Sequence, residues 1–278
     1  MSNSKIKIVV LGPNGMLGQI VSRYFKIRGY PTCQMESRFD WGARQSYIHE
    51  IAQFGPAVVI NCIGKIKQKS ASPTELLEIN SILPALLADR LGPDQYLIQP
   101  STDCVFSGLS DRPYRVSDVC DADDDYGTSK RLAEVALAGH PKSVIVRVSI
   151  VGTDSIAKSP RGLLGWFLSQ PESITLGGYI DHYWNGITTL EWCKSIEKLF
   201  LSDVKSGFCG KTVQLGSPDV VSKYELLTLF RDVYQTRHSI SPTVTGTRIY
   251  RVLSSDIACP PLRQQLSELR YFSMAVTR

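Results

Sequence analysis

A short apolar run, Ile6-Lys-Ile-Val-Val-Leu11, stops at Gly12, and two more glycines follow at Gly15 and Gly18 before an amphipathic stretch begins. This order of residues constrains the fold more than any other feature of the chain. A strand that ends in a glycine turn and passes straight into a helix opens a βαβ unit. Leu17, Ile20, Val21, Tyr24 and Phe25 then recur at helical spacing, and Gly29 closes that helix. Thr32 to Met35 reads as a second strand. Ala57-Val-Val-Ile-Asn-Cys-Ile63 is a near-continuous apolar run of the kind found in a strand covered on both faces. Ser72, Pro73 and Glu75 predict a capped helix start, and Pro84 predicts a kink or restart within the helix that follows. Gln95–Ile98 and Ser143–Val148 continue the strand series, with a helix from Tyr126 to Ala138 between them.

The alternation predicts an α/β fold, a doubly wound parallel sheet over residues 1–150. Beyond Ser149 the rhythm changes. Ser159-Pro160 opens an amphipathic segment through Trp166 and Phe167, Gly177-Gly178 and Asn185-Gly186 read as turns, and Thr188 and Ser222 cap helices. Residues 151–278 therefore read as a smaller C-terminal α/β lobe, with elements such as Thr212–Leu215 returning to the main sheet.

Composition narrows the class of partner. The net charge of +5 comes from scattered Lys and Arg rather than a basic stripe, so no nucleic acid is expected, and an anionic small molecule suits the charge better. No long apolar run and no signal region is visible, which predicts a cytoplasmic protein with no membrane partner. The seven cysteines include no CxxC pair and read as reduced buried thiols. Four scattered histidines offer no metal-ligand spacing. A homodimer is left open.

Two constellations carry chemistry. Glycines at 12, 15 and 18 let backbone turn tightly against a pyrophosphate, which then sits at the positive end of the helix dipole. Further along, Ser101-Thr-Asp103 follows a predicted strand, and Tyr126 and Lys130 stand four apart at a helix start, on one face. An ammonium beside a phenol lowers the phenol from its usual value of about 10 and makes it a workable proton donor near neutrality. A hydroxyl from the neighbouring strand end can hold a carbonyl oxygen.

The spacing Gly12-x-x-Gly15-x-x-Gly18 resembles the extended branch of the short-chain dehydrogenase/reductases. Ser101-Thr-Asp-Cys-Val-Phe-Ser-Gly108 and Tyr126-Gly-Thr-Ser-Lys130, with Val59–Gly64 and Asn80, resemble the dTDP-4-dehydrorhamnose reductase family through most of the chain. The resemblance implies a Rossmann-type domain, an NAD(P)H cofactor, and reduction of the C4 ketone of a nucleotide-linked 4-keto-6-deoxy sugar. It makes Tyr126 the general acid, Lys130 its tuner and the contact to the nicotinamide ribose, and Thr102 the residue that orients the ketone. Gly12, Asn14, Gly15, Met16, Leu17 and Gly18 would line the pyrophosphate, Cys62, Ile63 and Gly64 would pass beneath the adenine-side ribose, and Asp40 with Trp41 would contact adenine. Two features depart from the family: Cys104 stands where an aromatic residue is usual, and Ile63-Gly-Lys-Ile-Lys-Gln68 differs from the usual loop.

Alternatives from other classes are a non-catalytic NADP-binding regulatory subunit of the same fold, and a nucleotide-sugar epimerase or dehydratase. Retention of Thr102, Tyr126 and Lys130 together favours the enzyme, and the lack of a Glu beside Asp103 weighs against a dehydratase. Met35-Glu-Ser-Arg-Phe39 offers Arg38 to a ribose 2′-phosphate, which favours NADPH over NADH. The substrate is expected between the two halves, held by Thr102 and Asp103 on one side. On the other side stand Arg147, Ser149 and the cluster Trp166, Tyr179, His182, Tyr183, Trp184 and Asn185. A packed hinge is the competing role for that cluster.

Overall fold

The computed structural model describes residues 5–66, 72–153, 162–201 and 210–275. The first half alternates β1 (Lys7–Leu11), α1 (Met16–Ile27), β2 (Thr32–Gln34), α2 (Arg44–Ala52) and β3 (Ala57–Asn61). A long helix follows in three parts: α3 (Pro73–Leu77), a π turn over Glu78–Ile82, and α4 (Leu83–Arg90). The Ser72 hydroxyl caps its start by accepting from the Glu75 amide, and Pro84 lies just after the π turn, where the altered hydrogen-bond ladder accommodates its missing N–H. Then come β4 (Gln95–Pro100), α5 (Asp125–Leu137) and β5 (Ser143–Val148).

The second half holds β6 (Ile150–Val151), α6 (Leu163–Ser169), β7 (Thr175–Tyr179), β8 (His182–Trp184), β9 (Ile187–Thr188) and α7 (Thr189–Ile196). It continues with β10 (Thr212–Leu215), β11 (Val221–Ser222), α8 (Lys223–Tyr234), β12 (Ser239–Thr243), β13 (Ile249–Arg251) and α9 (Leu262–Met274). The central sheet has six strands in the order β10-β5-β4-β3-β1-β2, every neighbouring pair parallel. β10 returns from the second half to extend it beside β5.

Burial explains why these runs are strands. Every residue of β3 and β5 is buried, as a sheet sandwiched between helices requires. Alternate residues of β1 serve two cores: Ile8 and Val10 join α1, α7 and the second half, whereas Val9 and Leu11 join α2, α4 and α5. Strand order reverses at β1, whose neighbours are β2 and β3, so a crevice opens beyond their carboxyl ends.

Some expectations need correction. Gly177 and Gly178 are not a turn but lie within β7, paired in parallel with β12. Gly178 is there for close approach, since a Cβ would stand 2.6 Å from the Tyr224 Cα. The Ser159-Pro160 start and Cys209 lie outside the described residues.

Three proposed substrate contacts are also corrected. Arg147 is buried and does not face the crevice: its guanidinium grips Glu134 at 2.8–3.1 Å and reaches the Val116 carbonyl and the Gln214 side chain. A guanidinium with its donors so committed has none left for a diphosphate. Trp184 is 2% exposed and donates its indole N–H to the Ser149 hydroxyl at 2.6 Å. The Asn185 side chain donates to the Ser217 and Leu253 carbonyls and accepts from the Leu253 amide. Trp184 ties the second half to the end of β5, and Asn185 ties segments of the second half to one another.

The Arg147–Glu134 pair generates a stability test. Removing one member of a buried pair leaves an uncompensated charge, whereas removing both is far milder. Glu134→Ala should lower the unfolding free energy by about 3–5 kcal/mol in a urea titration. Glu134→Leu combined with Arg147→Met should recover much of that loss. A double variant as unstable as the single one would show that the pair's neighbours, not its charges, set the cost.

Candidate active site

The glycine turn forms one wall of the crevice. Gly12 has φ +67°, a left-handed conformation that a side chain would strain, and a Cβ there would press on Ile63. Gly18 lies so close beneath the turn that a Cβ would stand 2.2 Å from the Gly12 carbonyl oxygen. Gly15 caps α1 through its backbone and leaves the approach open. The first turn of α1 carries no acidic residue, so nothing opposes the positive end of its dipole.

Across from it lies the end of β4. The Thr102 hydroxyl donates to Asp103 Oδ1 at 3.1 Å and accepts from the Cys104 amide at 3.1 Å. Tyr126 and Lys130 come from the first turns of α5, which Asp124 caps by accepting from the Tyr126 and Gly127 amides. Lys130 Nζ donates to the Pro100 carbonyl at 3.2 Å. Glycine is needed again at Gly127, where a Cβ would stand 2.2 Å from the Cys104 carbonyl oxygen; the close contact seats α5 against the Thr102 loop.

A cavity of about 410 Å³ joins the two walls. Gly15, Met16 and Leu17, Cys62, Ile63 and Gly64, and Thr102, Asp103, Tyr126 and Lys130 all line it. Gly12, Asn14 and Gly18 are not among its lining residues; Gly18 is buried beneath the turn and Asn14 is exposed. Asp40 and Trp41 lie outside it: Asp40 accepts from the Ala43 amide, and Trp41 lies under the Arg44 guanidinium. Arg38 is exposed past the end of β2, with no hydrogen bond or ion pair among the described residues. Trp166, Tyr179, His182 and Tyr183 do not line the cavity, whereas Ser149 does.

The electrostatics correct one expectation. Burial, followed by the neighbouring Cys104 thiol, pushes the Tyr126 phenol well above its ordinary value, against a smaller downward influence of the Thr102 hydroxyl. Tyr126 is thus protonated throughout the neutral range. Burial pulls Lys130 down to about 8, against the Glu134 carboxylate one turn along α5. Cys104 is pushed up to about 12, first by burial and then by Asp103, so it is an inert thiol here.

Asn80 does more than fit a pattern. It lies in the π turn, where the widened helix presents its side chain to the Lys65 backbone, accepting from the amide and donating to the carbonyl, both at 2.9 Å. It also donates to Ser129, next to Lys130, at 3.1 Å. Lys65 lines the cavity and pairs with Glu75 at 2.5 Å. Neither role was assigned from sequence; a polar residue inside the apolar run of a buried helix was the available signal. Among the described residues no cluster of metal-ligating side chains occurs, and no helix is long and apolar enough to cross a membrane.

Comparison with known proteins agrees with this architecture. A spore coat polysaccharide biosynthesis protein, SpsK of Bacillus subtilis (strain 168), is 32% identical over 152 residues, 52% of this chain and 53% of that protein. A dTDP-4-dehydrorhamnose reductase of Streptomyces griseus is 29% identical over 133 residues, 46% of this chain and 44% of the relative. The chain therefore matches about half the length of these curated relatives. The crystal structure of a Bacillus anthracis dTDP-4-dehydrorhamnose reductase in complex with NADP superposes with a TM-score of 0.82, covering 97% of this chain and 100% of the other at 17% identity. At that identity the likeness establishes the fold. The model of the RmlD substrate binding domain matches residues 6–164, which takes in the glycine turn, the Thr102 loop and the Tyr126–Lys130 helix, and the chain belongs to that family.

Proposed function

We propose that this chain is an NAD(P)H-dependent reductase of the C4 ketone of a nucleotide-linked 4-keto-6-deoxy sugar, serving surface polysaccharide synthesis. The observation that carries the proposal is the meeting of Thr102, Tyr126 and Lys130 with the glycine turn around one cavity. The names of the Streptomyces reductase and the Bacillus spore coat protein support the reaction and its setting.

The residues fit a dinucleotide. The turn leaves backbone amides free at a helix start without acidic side chains, and the Cys62–Gly64 segment forms the adjoining wall. A bound nicotinamide supplies the hydride. The chain's own part is proton delivery and alignment. Tyr126, kept protonated by burial, gives its proton to the ketone oxygen, and Thr102 holds that oxygen in line. Lys130 contributes a positive charge on the same side, anchored by the Pro100 carbonyl. For NADPH, Arg38 is the free cation past β2 suited to a 2′-phosphate; Ser37 is occupied by donating to Glu50.

Four outcomes test this function. With thymidine-, uridine- and guanosine-diphosphate-linked 4-keto-6-deoxy sugars, wild type should oxidise NADPH with one of them. Tyr126→Phe should bind NADPH normally but lose on the order of 10²–10⁴ in kcat. A Phe variant keeping more than about a third of kcat would falsify the acid assignment. In pH profiles, kcat/KM reports the free enzyme, so it should decline on the alkaline side as Lys130 discharges near its value of about 8. Lys130→Arg should move that limb to higher pH; an unmoved limb assigns it elsewhere. Arg38→Ala should raise KM for NADPH and leave KM for NADH unchanged, while an equal response to both cofactors counts against Arg38.

A further inference from the structure

One stripe of α5 grips the loop that carries Thr102. Gly127, Lys130 and Glu134 stand three and then four residues apart, so they share a face of the helix. Each meets a different point of the chain between Pro100 and Cys104. Lys130 Nζ donates to the Pro100 carbonyl at 3.2 Å, and Glu134 Oε1 accepts the Ser101 hydroxyl at 2.5 Å. Gly127 lies directly against the Cys104 carbonyl. Thr102 falls between the second and third of these points, and Tyr126 neighbours Gly127 on the helix.

Ser101 is the member of this grip whose side chain is committed away from the cavity. It is buried, and its amide donates to the Val146 carbonyl of β5 at 2.7 Å. A hydroxyl has one proton to give, and Glu134 takes it, so Ser101 has no donor left for a ligand although it lines the cavity. Glu134 is itself fixed. Arg147 Nε reaches its two oxygens at 3.1 and 3.0 Å, and Nη2 reaches Oε2 at 2.8 Å. A hydroxyl bonded to a held carboxylate is stronger and better defined than a bond between neutral groups. The Thr102 hydroxyl, by contrast, is bonded to Asp103 Oδ1 and the Cys104 amide, both within the 3-10 turn that follows it. Those bonds orient the hydroxyl within its own loop and not against α5. The Ser101–Glu134 bond supplies the missing reference.

We propose that Ser101 is a positioning residue of this site, whose bond to Glu134 sets the Thr102 hydroxyl against Tyr126 and Lys130. The proposal rests on the reading of those three as the reacting residues. Without the bond the loop keeps its contacts with Lys130 and Gly127, one on each side, and Thr102 can pivot between them. Ser101 acts on the rate through placement alone, and it touches neither the ketone nor the cofactor.

Ser101→Ala tests it, because the change deletes the hydroxyl and leaves the Glu134–Arg147 pair whole. With the keto sugar, kcat should fall about tenfold or more, since a small misplacement of a reacting group is costly. KM for the sugar and the affinity for NADPH should stay as in wild type. A second readout needs no turnover. The Cys104 amide has the Thr102 hydroxyl as its acceptor, so its hydrogen exchange reports where that hydroxyl stands. Followed by NMR on the NADPH-loaded protein, that exchange should be about tenfold faster or more in Ser101→Ala, while the amides of β5 exchange as in wild type. An unchanged Cys104 amide overturns the proposal, as does an unchanged kcat in an active enzyme. A raised KM with kcat intact overturns it by making Ser101 a ligand contact, and equally faster exchange in β5 does so by showing a loosened core. If wild type reduces no keto sugar, the reductase reading fails, and the Cys104 amide alone decides whether Ser101 places Thr102.

Discussion

The site depends on one buried ion pair. Glu134 of α5 receives the Arg147 guanidinium of β5 on both its oxygens, and one of those oxygens also accepts the Ser101 hydroxyl at 2.5 Å. Ser101 directly precedes Thr102, and Glu134 lies one turn beyond Lys130 on the helix that also carries Tyr126. Arg147 extends the network to Gln214 of β10, the strand that returns from the second half. The consecutive α5 and β5 and the distant β10 are thereby held in one register, with each charge satisfied inside the core. In the proposed reaction the Thr102 hydroxyl and the Tyr126 phenol would need relative placement to a fraction of an ångström. A buried bidentate pair has the directional rigidity to supply it.

The opposite wall is built without charge. At the reversal of strand order, the turn after β1 and the segment after β3 run side by side, and glycine at 12 and 18 lets backbone stack on backbone. The close packing of Gly18 beneath the turn directs the amino end of α1 into the cavity. Asn80 does for the Lys65 loop what the glycines do for the turn: it pairs with both the amide and the carbonyl of one residue and holds the loop to α5 through Ser129. Backbone packing thus shapes the glycine-turn wall, with Asn80 holding the adjoining loop, and side-chain hydrogen bonds shape the wall of Thr102, Tyr126 and Lys130.

The parts legible in sequence were those in which local spacing decides the outcome. The β1 run, the glycine turn, the buried β3 run, the Ser72 and Ser222 caps and the Tyr126–Lys130 face all depend on neighbours within a few residues. The failures share a different cause. Arg147 and Trp184 are residue types that often bind ligands, and only tertiary packing shows that one is spent on Glu134 and the other on Ser149. Gly177-Gly178 looks like a turn because the reason for Gly178 is Tyr224, on a helix more than forty residues away.

The same geometry explains how two titrating groups on one helix reach opposite states. The packing around Tyr126 disfavours the phenolate, and that around Lys130 disfavours the ammonium, so burial alone would favour the neutral form of both. A neutral lysine would contribute no charge beside the ketone. The Glu134 carboxylate acts against that drift by favouring protonated Lys130, and its position one turn along α5 fixes the direction of the effect. Arg147 keeps Glu134 in place, although its own positive charge tempers the carboxylate's pull on Lys130. The ion pair that orders the reacting side is therefore coupled to its charge as well: the register of α5 and the protonation of Lys130 are set by one carboxylate.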